Sequence, residues 1–437
     1  MAIQALPGFR DFHPDDLAAR SHLFGAMRRV ALRYGFQEYD GPPLESLELY
    51  TRKSGDEIVG QLYSFRDKGD REVALRPEMT PTLARMVAPK AAALKKPIRW
   101  FSIPQLFRYE RQQRGRLREH FQLNCDLIGE AGPLADAEII ALSIDVMREL
   151  GLTEADVRVR ISDRRLLTGI LTRLSFTDAQ RTLAFQALDK LGRNEYAARE
   201  AALRAAGVDE SALARLSGLA TLNGWDALDQ AFPDLGAAAA PLRASWQALE
   251  AMGLGRYLDL DLTIVRGLAY YTGTVFELFD AQRSLRAICG GGRYDGLLQA
   301  LGGVDLPALG FGMGDVVLGD LLRERGLLPR APASADVFVA QVTADDRPHV
   351  LAVTHQLRDA GFRVEFPFAE QAVGKQLKLA DARGARAVVV IGPDDRARGH
   401  VVLKDLAAGS QLAIEPARLP EALDHMGIAR VAAGIER

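Results

Sequence analysis

Hydrophobic and polar positions along the first three quarters of the chain form patterns typical of both helices and strands. Apolar residues recur near helical spacing from Asp15 to Tyr34, and Gly35 is expected to end that helix. A second strong helical pattern covers residues 134–150. The sequence therefore predicts a region that mixes helices with short strands. The strand candidates are residues 61–75, where two strands flank a polar turn, and residues 98–107, 121–128, 157–162 and 260–279.

Two changes of pattern divide the rest of the chain. Residues from about 169 to 254 are rich in Ala, Leu and Arg and contain no convincing strand, so they predict a helical insertion. Beyond a Pro- and Ala-rich linker candidate, apolar strands alternate with helices in a βαβ period. This period predicts a small α/β domain with mostly parallel strands. The predicted division is a first domain at residues 1–328, a linker at 329–335 and a second domain at 336–437.

The composition is that of an ordinary globular protein. The 437 residues are 48% hydrophobic and 26% charged, which excludes a disordered chain. The formal net charge of -2 gives no nucleic-acid signal for the whole chain, so any such surface must be local. The chain has no apolar run of about 18 residues and no N-terminal signal segment, so we expect a cytoplasmic protein that does not enter membranes. The two cysteines, Cys125 and Cys289, fit a reducing compartment.

Several common kinds of site are missing from the sequence. The seven histidines are scattered, and none lies at zinc-ligand spacing from a cysteine or another histidine. The sequence contains no G-x-S-x-G elbow and no phosphate-binding P-loop. We therefore expect no tightly bound metal held by protein ligands, and any use of ATP must involve another kind of site.

An arginine-rich stretch lies between two strand candidates. Residues 108–118, RYERQQRGRLR, use arginine and no lysine as the cation. A guanidinium group can clamp phosphate oxygens with two parallel hydrogen bonds, so this loop could hold a polyphosphate. Glu110 within it could orient the neighbouring arginines or accept a hydrogen bond from an amino group. The simpler interpretation is a solvated hairpin loop.

Three further stretches combine glycine, tyrosine and acidic residues. Residues 265–277, VRGLAYYTGTVFE, carry Tyr270 and Tyr271, which would point to opposite faces of a strand. Residues 289–295, CGGGRYD, contain three consecutive glycines, which suit a backbone that closely approaches a ligand. In residues 75–82, LRPEMTPT, a glutamate and a threonine between two prolines could grip an ammonium group. The structural alternatives are an edge strand, a flexible loop tip and a surface turn.

Together and in this order, these stretches resemble the motifs of the histidyl-tRNA synthetase family, within the class II aminoacyl-tRNA synthetases. The arginine-rich stretch is similar to class II motif 2, and the YYTG and GGGRYD stretches are similar to the two histidine-specific motifs. Gly41–Glu45 is similar to the dimer-forming motif 1, and Gly310–Asp315, GFGMGD, to the start of motif 3. The βαβ tail resembles the family's anticodon-binding domain. The resemblance runs from about Pro7 to Leu423.

The resemblance implies a fold, a reaction and a set of partners. The fold is an α+β catalytic domain with the antiparallel sheet of class II synthetases, a helical insertion and a C-terminal α/β anticodon-binding domain, assembled as a homodimer. The enzyme would be a histidine–tRNA ligase that attaches L-histidine to its cognate tRNA through a histidyl-adenylate, converting ATP to AMP and pyrophosphate. ATP would arrive with Mg²⁺. The expected partners are therefore ATP, L-histidine, the histidine tRNA and a second copy of the chain.

The resemblance also implies roles for individual residues. Arg108 and Arg266 are the expected catalytic pair, each contacting the α-phosphate of ATP and the carboxylate of histidine. Asp126 and Tyr271 would bond the two imidazole nitrogens, with Tyr270 nearby. The other expected histidine-binding residues are Glu78, Met79, Thr80 and Gln122, with Gly290, Gly291 and Gly292 as the pocket floor. The other expected ATP-binding residues are Glu110 at the adenine amino group, Arg116 at the γ-phosphate, His120, Phe121 and Arg293.

The sequence departs from the family pattern at three places. Motif 3 usually ends in Gly-x-Glu-Arg, with the arginine binding ATP, but Val317 stands at the arginine position here. Another arginine, Arg114 or Arg293, would then make that contact. Ala269 replaces the aspartate of the common Arg-Gly-Leu-Asp-Tyr-Tyr motif, and His120 stands where an adenine-stacking phenylalanine is usual. The rest of the site is intact, which favours a true synthetase.

Two other functions compete with this interpretation. The first is a non-aminoacylating paralogue that senses histidine as a regulatory subunit of the first enzyme of histidine biosynthesis, and the loss of the motif 3 arginine favours it. That paralogue lacks the anticodon-binding domain, whereas residues 337–423 here carry the complete pattern. The second is a synthetase for another amino acid, and Asp126 and the tandem tyrosines argue against it.

Overall fold

The computed structural model describes residues 3–51, 60–111, 113–192, 194–266 and 271–431. The chain divides into two compact units, residues 1–330 and residues 331–437, and each unit has its own hydrophobic core. Within the described ranges, no helix is long and apolar enough to cross a lipid bilayer.

The first unit contains a large sheet, a small sheet and helices on both sides of the large sheet. Its first elements are α1 Pro14–Arg33, β1 Gln37–Glu38, β2 Leu44–Ser46, α2 Leu47–Thr51, β3 Ser64–Arg66, β4 Glu72–Leu75, α3 Thr80–Val87, β5 Ile98–Ser102, β6 Gln105–Phe107, β7 Glu119–Ile128, α4 Pro133–Glu149 and β8 Val157–Asp163. Its later elements are α5 Arg164–Arg173, α6 Asp178–Asp189, α7 Tyr196–Ala205, α8 Glu210–Gly218, α9 Gly224–Ala231, α10 Gly236–Ala251, β9 Leu258–Leu260, β10 Thr274–Asp280, β11 Cys289–Arg293, α11 Leu297–Gly302, β12 Ala308–Gly314 and α12 Asp315–Glu324.

The large sheet is mainly antiparallel, as predicted. Its strand order is β1-β5-β7-β12-β11-β10-β8-β9, and β6 pairs with the first part of β7. Only the two outermost pairs, β1–β5 and β8–β9, are parallel. A separate three-stranded antiparallel sheet has the order β2-β4-β3. The three stretches 265–277, 289–295 and 310–315 reach the adjacent strands β10, β11 and β12, and the arginine-rich stretch leads directly into β7, which pairs with β12. The topology therefore gathers segments that are far apart along the chain.

The two faces of the central strand β7 have opposite character. Leu123, Cys125 and Leu127 are buried in the main hydrophobic core with residues of α1 and α4. Successive side chains of a strand point to opposite faces. The polar residues between them, Gln122, Asn124 and Asp126, therefore face the other side of the sheet, where a pocket lies.

The predicted helical insertion is confirmed. Between β8 and β9, the described residues form helices α5–α10 and no strand. α5 begins directly after β8 because the Asp163 carboxylate accepts hydrogen bonds from the backbone N–H groups of Arg165 and Leu166. Such a cap satisfies N–H groups that the first turn of a helix leaves without partners. The helices therefore begin at Arg164 rather than near residue 169.

The strand pattern predicted over residues 260–279 is confirmed at its two ends and is interrupted between them. Among the described residues of this range, strand structure covers the end of β9 and most of β10, and the chain turns after Leu260. The Asp261 carboxylate accepts hydrogen bonds from the backbone N–H and the hydroxyl of Thr263, at 3.0 and 2.6 Å. This local bonding competes with pairing to a neighbouring strand. The turn leads to Arg266, whose backbone has a positive φ of 55°.

The second unit is a small α/β sheet with its own core, which confirms the predicted fold class of the tail. Strands β13, β14 and β15 are parallel, while β16 and β17 are antiparallel, in the order β14-β13-β15-β16-β17. The expectation of mostly parallel strands therefore holds for β14, β13 and β15. The short turn between β16 and β17 permits only an antiparallel hairpin. The elements are β13 Val337–Gln341, α13 Arg347–Asp359, β14 Val364–Glu365, α14 Val373–Ala382, β15 Ala387–Ile391, α15 Pro393–Ala397, β16 Val401–Asp405, β17 Gln411–Ile414 and α16 Leu419–His425.

Candidate active site

A polar pocket opens on the face of the large sheet that carries the even-numbered residues of β7. It encloses about 490 Å³ of empty space, part of which is open to solvent. The pocket brings together residues of five of the stretches identified in the sequence. Its lining residues are Glu78, Thr80, Arg108, Gln122, Asn124, Asp126, Arg266, Tyr271, Gly290, Tyr294, Gly310, Phe311 and Gly312.

Glycines of β11 and β12 form the floor of this pocket. In the sheet register, Gly312 pairs with Asn124, and Gly310 pairs with Asp126. A Cβ atom on Gly312 would lie 2.7 Å from the side-chain carbon Cδ of Gln122, and one on Gly310 would meet the Asp126 carboxylate. A Cβ atom on Gly290 would likewise meet the Arg266 guanidinium. The absence of side chains at these positions therefore lets three polar side chains lie against the sheet.

Arg266 reaches the pocket from the turn that follows β9. Its Nη1 donates a hydrogen bond to Glu277 Oε1 at 2.5 Å, and Glu277 pairs with Gly290 in the sheet. Burial by itself lowers the pKa of Arg266, but the neighbouring Tyr271 and Glu277 outweigh burial and raise the pKa above its usual value. The guanidinium is therefore charged and held in one place before any ligand binds.

Asp126 is a buried residue of the pocket lining. Its side chain is almost fully buried, and the Tyr294 hydroxyl donates a hydrogen bond to its Oδ1. Burial raises the pKa of Asp126 to about 7, although the bond from Tyr294 acts in the opposite direction. This carboxyl group therefore changes charge near neutral pH.

Arg108 joins the start of the arginine-rich loop to the segment before α3. Its Nε donates a hydrogen bond to the backbone oxygen of Pro77 at 2.9 Å. Glu78 follows directly and is 7% exposed, and Thr80 is the first residue of α3. Glu78, Thr80 and Arg108 therefore line the same pocket.

The arginine-rich loop closes on itself through an ion pair. The Arg116 guanidinium contacts the Glu110 carboxylate, which is buried. His120 follows in β7 and pairs with Leu106 in the sheet. Burial lowers the pKa of His120 to about 3, and Arg108, Arg10 and Arg116 add to this effect. The imidazole is therefore neutral at physiological pH.

Comparisons with known proteins agree with this arrangement. The family model for histidyl-tRNA synthetase matches residues 8–314, and the model for an anticodon-binding domain matches residues 336–426. The chain belongs to the histidyl-tRNA synthetase family. The histidine–tRNA ligase of Opitutus terrae is 46% identical to it over 93% of this chain and 95% of that protein. The histidine–tRNA ligase of Halobacterium salinarum is 41% identical, over 96% of this chain and 97% of that protein.

A solved structure of the family extends the comparison to the fold. Histidyl-tRNA synthetase from Nostoc sp. PCC 7120 aligns with a TM-score of 0.81 at 27% identity, covering 98% of this chain and 100% of that one. A regulatory paralogue would lack the anticodon-binding domain. In this chain the model for that domain matches residues 336–426. The sequence-based assignment to the histidyl-tRNA synthetase family is therefore confirmed.

Three residues assigned to ligands by the family resemblance lie away from the pocket. Arg293 is 1% exposed, and its guanidinium donates to both Asp136 carboxylate oxygens and to backbone oxygens before α4. It therefore anchors β11 to the neighbouring helix, and the assignment of Arg293 to ATP is wrong. Met79 is completely buried and is not among the pocket-lining residues, so its side chain packs away from the pocket.

Phe121 is the third correction. Because it follows His120 in a strand, its side chain points to the opposite face. Its ring lies 6.1 Å from that of Phe12 and 5.2 Å from that of Phe24, measured between centroids. Phe121 therefore packs under α1 instead of facing the ATP side of the sheet. Tyr270 and Ala269 lie outside the described residues.

The structure also adds pocket residues that the sequence analysis missed. Asn124 lies between two predicted ligands of the same strand face, so the period of two already marked it. Tyr294 lies two residues after the glycine run and was part of a recognised motif, but nothing in the sequence linked it to Asp126. Glu277 does not line the pocket but holds Arg266, and it was missed because a turn brings Arg266 to it. Among the described residues, no cluster of three or more His, Cys, Asp or Glu could hold a metal ion.

The raised pKa of Asp126 predicts a pH-dependent effect on stability. Since the folded chain holds this proton more tightly than the unfolded chain, ionisation of Asp126 lowers stability as pH rises from the usual value of 3.8 to about 7. We expect Asp126→Asn, which keeps an oxygen for Tyr294, to melt roughly 4 °C above the unmodified protein near pH 8. Below about pH 5 this advantage should shrink.

Scanning calorimetry across this pH range measures the effect. Asp226→Asn, at an exposed position of the helical insertion, is the matched control and should change the melting temperature little at any pH. A lower melting temperature for Asp126→Asn near pH 8, or a gain independent of pH, would contradict the prediction.

Proposed function

We propose that this pocket is where the chain, a histidine–tRNA ligase, joins L-histidine to ATP before transfer to tRNA. The observation that carries the proposal is the convergence of two arginines, Arg108 and Arg266, with the buried Asp126–Tyr294 pair in one pocket. One end of the pocket suits an imidazole, and the other suits a carboxylate meeting a phosphate. The enzyme class follows from the family, and the roles of the individual residues are our proposals.

The deep end of the pocket binds the imidazole ring in this scheme. The ionised Asp126 carboxylate accepts a hydrogen bond from one ring N–H, and the Tyr271 hydroxyl bonds the other nitrogen. The hydrogen bond from Tyr294 keeps the Asp126 carboxylate in one orientation. A side chain that lacks either nitrogen leaves a buried polar group without a partner, which is the basis for rejecting other amino acids.

The α-ammonium group of histidine binds nearer the pocket mouth. Glu78 and Thr80 approach from the segment before α3, and Gln122 approaches from β7. The Glu78 carboxylate balances the ammonium charge, while the hydroxyl and amide complete its hydrogen bonds. This arrangement leaves the histidine carboxylate directed towards the two arginines.

Arg108 and Arg266 serve the chemical step. A carboxylate oxygen of histidine attacks the α-phosphorus of ATP, the bond to the β-phosphate oxygen breaks, and pyrophosphate leaves with that electron pair. Negative charge collects on the α-phosphate in the transition state, so fixed guanidinium groups on two sides stabilise it. The Glu277 partner keeps Arg266 in position, and the bond to Pro77 does the same for Arg108.

The rest of ATP lies along the arginine-rich loop. Glu110 accepts a hydrogen bond from the adenine amino group, and Arg116 meets the γ-phosphate. The neutral His120 ring stacks on the adenine in this scheme. An uncharged ring is suited to this position because it needs no counter-ion. Mg²⁺ enters with ATP, coordinated mainly by the phosphates.

Arg266→Ala tests the assignment of the reacting end. Loss of one preorganised contact to the transition state should lower histidine-dependent ATP–pyrophosphate exchange by about a hundredfold or more. Circular dichroism should show an unchanged fold. Arg99→Ala is the matched control, since Arg99 pairs with Glu138 at 2.5 Å on the other face of the sheet. Near-normal exchange by Arg266→Ala would refute the assignment.

The second unit is proposed to bind the anticodon of the histidine tRNA. At the carboxyl end of its parallel strands, Phe368 is 91% exposed and stacks edge-on against Phe366, with ring centroids 5.2 Å apart. Arg347 donates a hydrogen bond to the backbone oxygen of Pro367 and fixes the turn between them. An exposed aromatic ring on a fixed turn is suited to stacking on an unpaired base.

Phe368→Ala should therefore weaken the tRNA-dependent step alone. Loss of one base-stacking contact is expected to raise the KM for tRNA in aminoacylation by about tenfold. ATP–pyrophosphate exchange without tRNA should not change. Leu412→Ala, at an exposed position of the far edge strand, is the matched control. An unchanged KM for tRNA would exclude Phe368 from the anticodon contact.

We also propose that the chain is a cytoplasmic homodimer with Gly41–Leu49 at the interface. Leu44 in this segment is 37% exposed, and both cysteines are free thiols, as expected in a reducing compartment. Replacing Leu44 with glutamate should place a charge in an apolar contact and shift the protein towards a monomer. Sedimentation at micromolar concentration measures this shift. An unmodified protein that sediments as a fully active monomer would refute the homodimer.

A further inference from the structure

Two tyrosines of the pocket are joined through the residues beside them in the chain. Thr272 follows Tyr271 directly. Arg293 and Asp295 flank Tyr294. The Thr272 backbone N–H donates a hydrogen bond to the Arg293 backbone oxygen at 2.7 Å. The Thr272 hydroxyl lies 3.3 Å from that oxygen and 3.2 Å from Asp295 Oδ2, and it accepts a hydrogen bond from the Asp295 backbone N–H at 3.2 Å. We call these three bonded residues, Thr272, Arg293 and Asp295, the clamp.

The clamp is anchored to a helix and to a strand. The buried Arg293 guanidinium donates hydrogen bonds to both carboxylate oxygens of Asp136 in α4 and to Asp295 Oδ1 at 3.2 Å. The same Asp295 oxygen accepts a hydrogen bond at 3.1 Å from the backbone N–H of Ala308, the first residue of β12. The Thr272 hydroxyl therefore bonds to groups that the surrounding structure already holds in place.

The chain that follows the clamp is also held in place. The Gly273 backbone oxygen accepts a hydrogen bond at 3.0 Å from the backbone N–H of Arg164, the first residue of α5. A Cβ atom on Gly273 would lie 3.1 Å from Cδ of Arg293, so the chain passes close to the clamp here. Tyr271 thus reaches the pocket from a segment whose path is set by contacts on its C-terminal side.

Both tyrosines lie at the end of the pocket that is proposed to bind the imidazole. The Tyr294 hydroxyl donates a hydrogen bond to Asp126. The Tyr271 side chain lies against Gly292, where an added Cβ atom would stand 2.9 Å from the ring carbon Cδ1. A shift across the clamp would therefore move the Tyr271 ring relative to the Asp126–Tyr294 pair. Hydrogen bonds weaken steeply when their distance or angle changes, and an imidazole presents its two nitrogens at a fixed separation.

We propose that Thr272 and Asp295 are positioning residues for histidine. Their hydrogen bonds set the separation between Tyr271 and the Asp126–Tyr294 pair, and so fix the spacing with which the pocket binds an imidazole. The proposal rests on the proposed function, since it assumes that Tyr271 and Asp126 bond the two ring nitrogens. Thr272 and Asp295 do not line the pocket, so they act through the tyrosines.

The test is histidine-dependent ATP–pyrophosphate exchange with Thr272→Val. Valine has nearly the shape of threonine but no hydroxyl, and position 272 is exposed, so the fold should be kept. The KM for histidine should rise by about tenfold, because binding of the ring loses its best geometry. The KM for ATP and kcat should stay nearly unchanged. Thr272→Ser restores the hydroxyl and should restore the KM. Thr182→Val, which removes an exposed hydroxyl from a helix of the insertion, is the matched control.

A second variant tests the other side of the same link. Asp295→Ala should also raise the KM for histidine by about tenfold. Because both changes break one connection, the double variant should raise this KM little more than either change alone. Independent sites would instead multiply their effects, and a full product of the two single effects would contradict the proposal. Melting temperatures show whether each variant is folded.

Tyr271→Phe separates failure of the clamp from failure of the proposed function. An unchanged KM for histidine in Thr272→Val overturns the proposal, as does an equal rise in the KM for ATP. If Tyr271→Phe raises the KM for histidine and Thr272→Val does not, only the clamp is wrong. If neither variant changes this KM, the proposed imidazole site falls together with the clamp.

Discussion

The pocket depends on a steric constraint in the middle of the sheet. Gln122, Asp126 and Arg266 can lie flat against the strands because Gly312, Gly310 and Gly290 beneath them have no side chains. Even a methyl group at one of these positions would occupy the space of a polar atom that is proposed to bind substrate. The glycines thus form a floor for the neighbouring side chains. They are needed here for the space they leave and not for backbone flexibility.

Charge in this pocket is arranged before any ligand enters. Arg266 is paired with Glu277 and kept charged, Asp126 is buried with Tyr294 as its donor, and His120 is kept neutral by burial and nearby cations. Groups fixed in this way need little reorganisation when a charged transition state forms. The raised pKa of Asp126 reflects the free-energy cost of this arrangement. A charged carboxylate is less stable when it is buried in the pocket than when it is in water.

The same packing explains how a family motif can change without loss of the surrounding geometry. In the first turn of α12, Asp315 links Arg10 to the backbone of β7, and Val317 fills the space under Gly115. This turn is therefore a structural support for the arginine-rich loop.

The sequence alone determined the family, the α+β class of the first unit, the helical insertion and the α/β tail, because these follow from local periodicity and from motifs with fixed spacing. It also marked most of the pocket, since Glu78, Arg108, Asp126 and Arg266 lie in such motifs. Only the tertiary structure decided which members of a motif face the ligand. Phe121 and Arg293 sit beside true pocket residues in the chain, yet strand alternation and a buried ion pair turn them elsewhere. Contacts such as Tyr294 with Asp126, or Arg286 with Gln113, join residues more than 150 positions apart. Strand pairing creates them, and no local pattern in the sequence encodes that pairing.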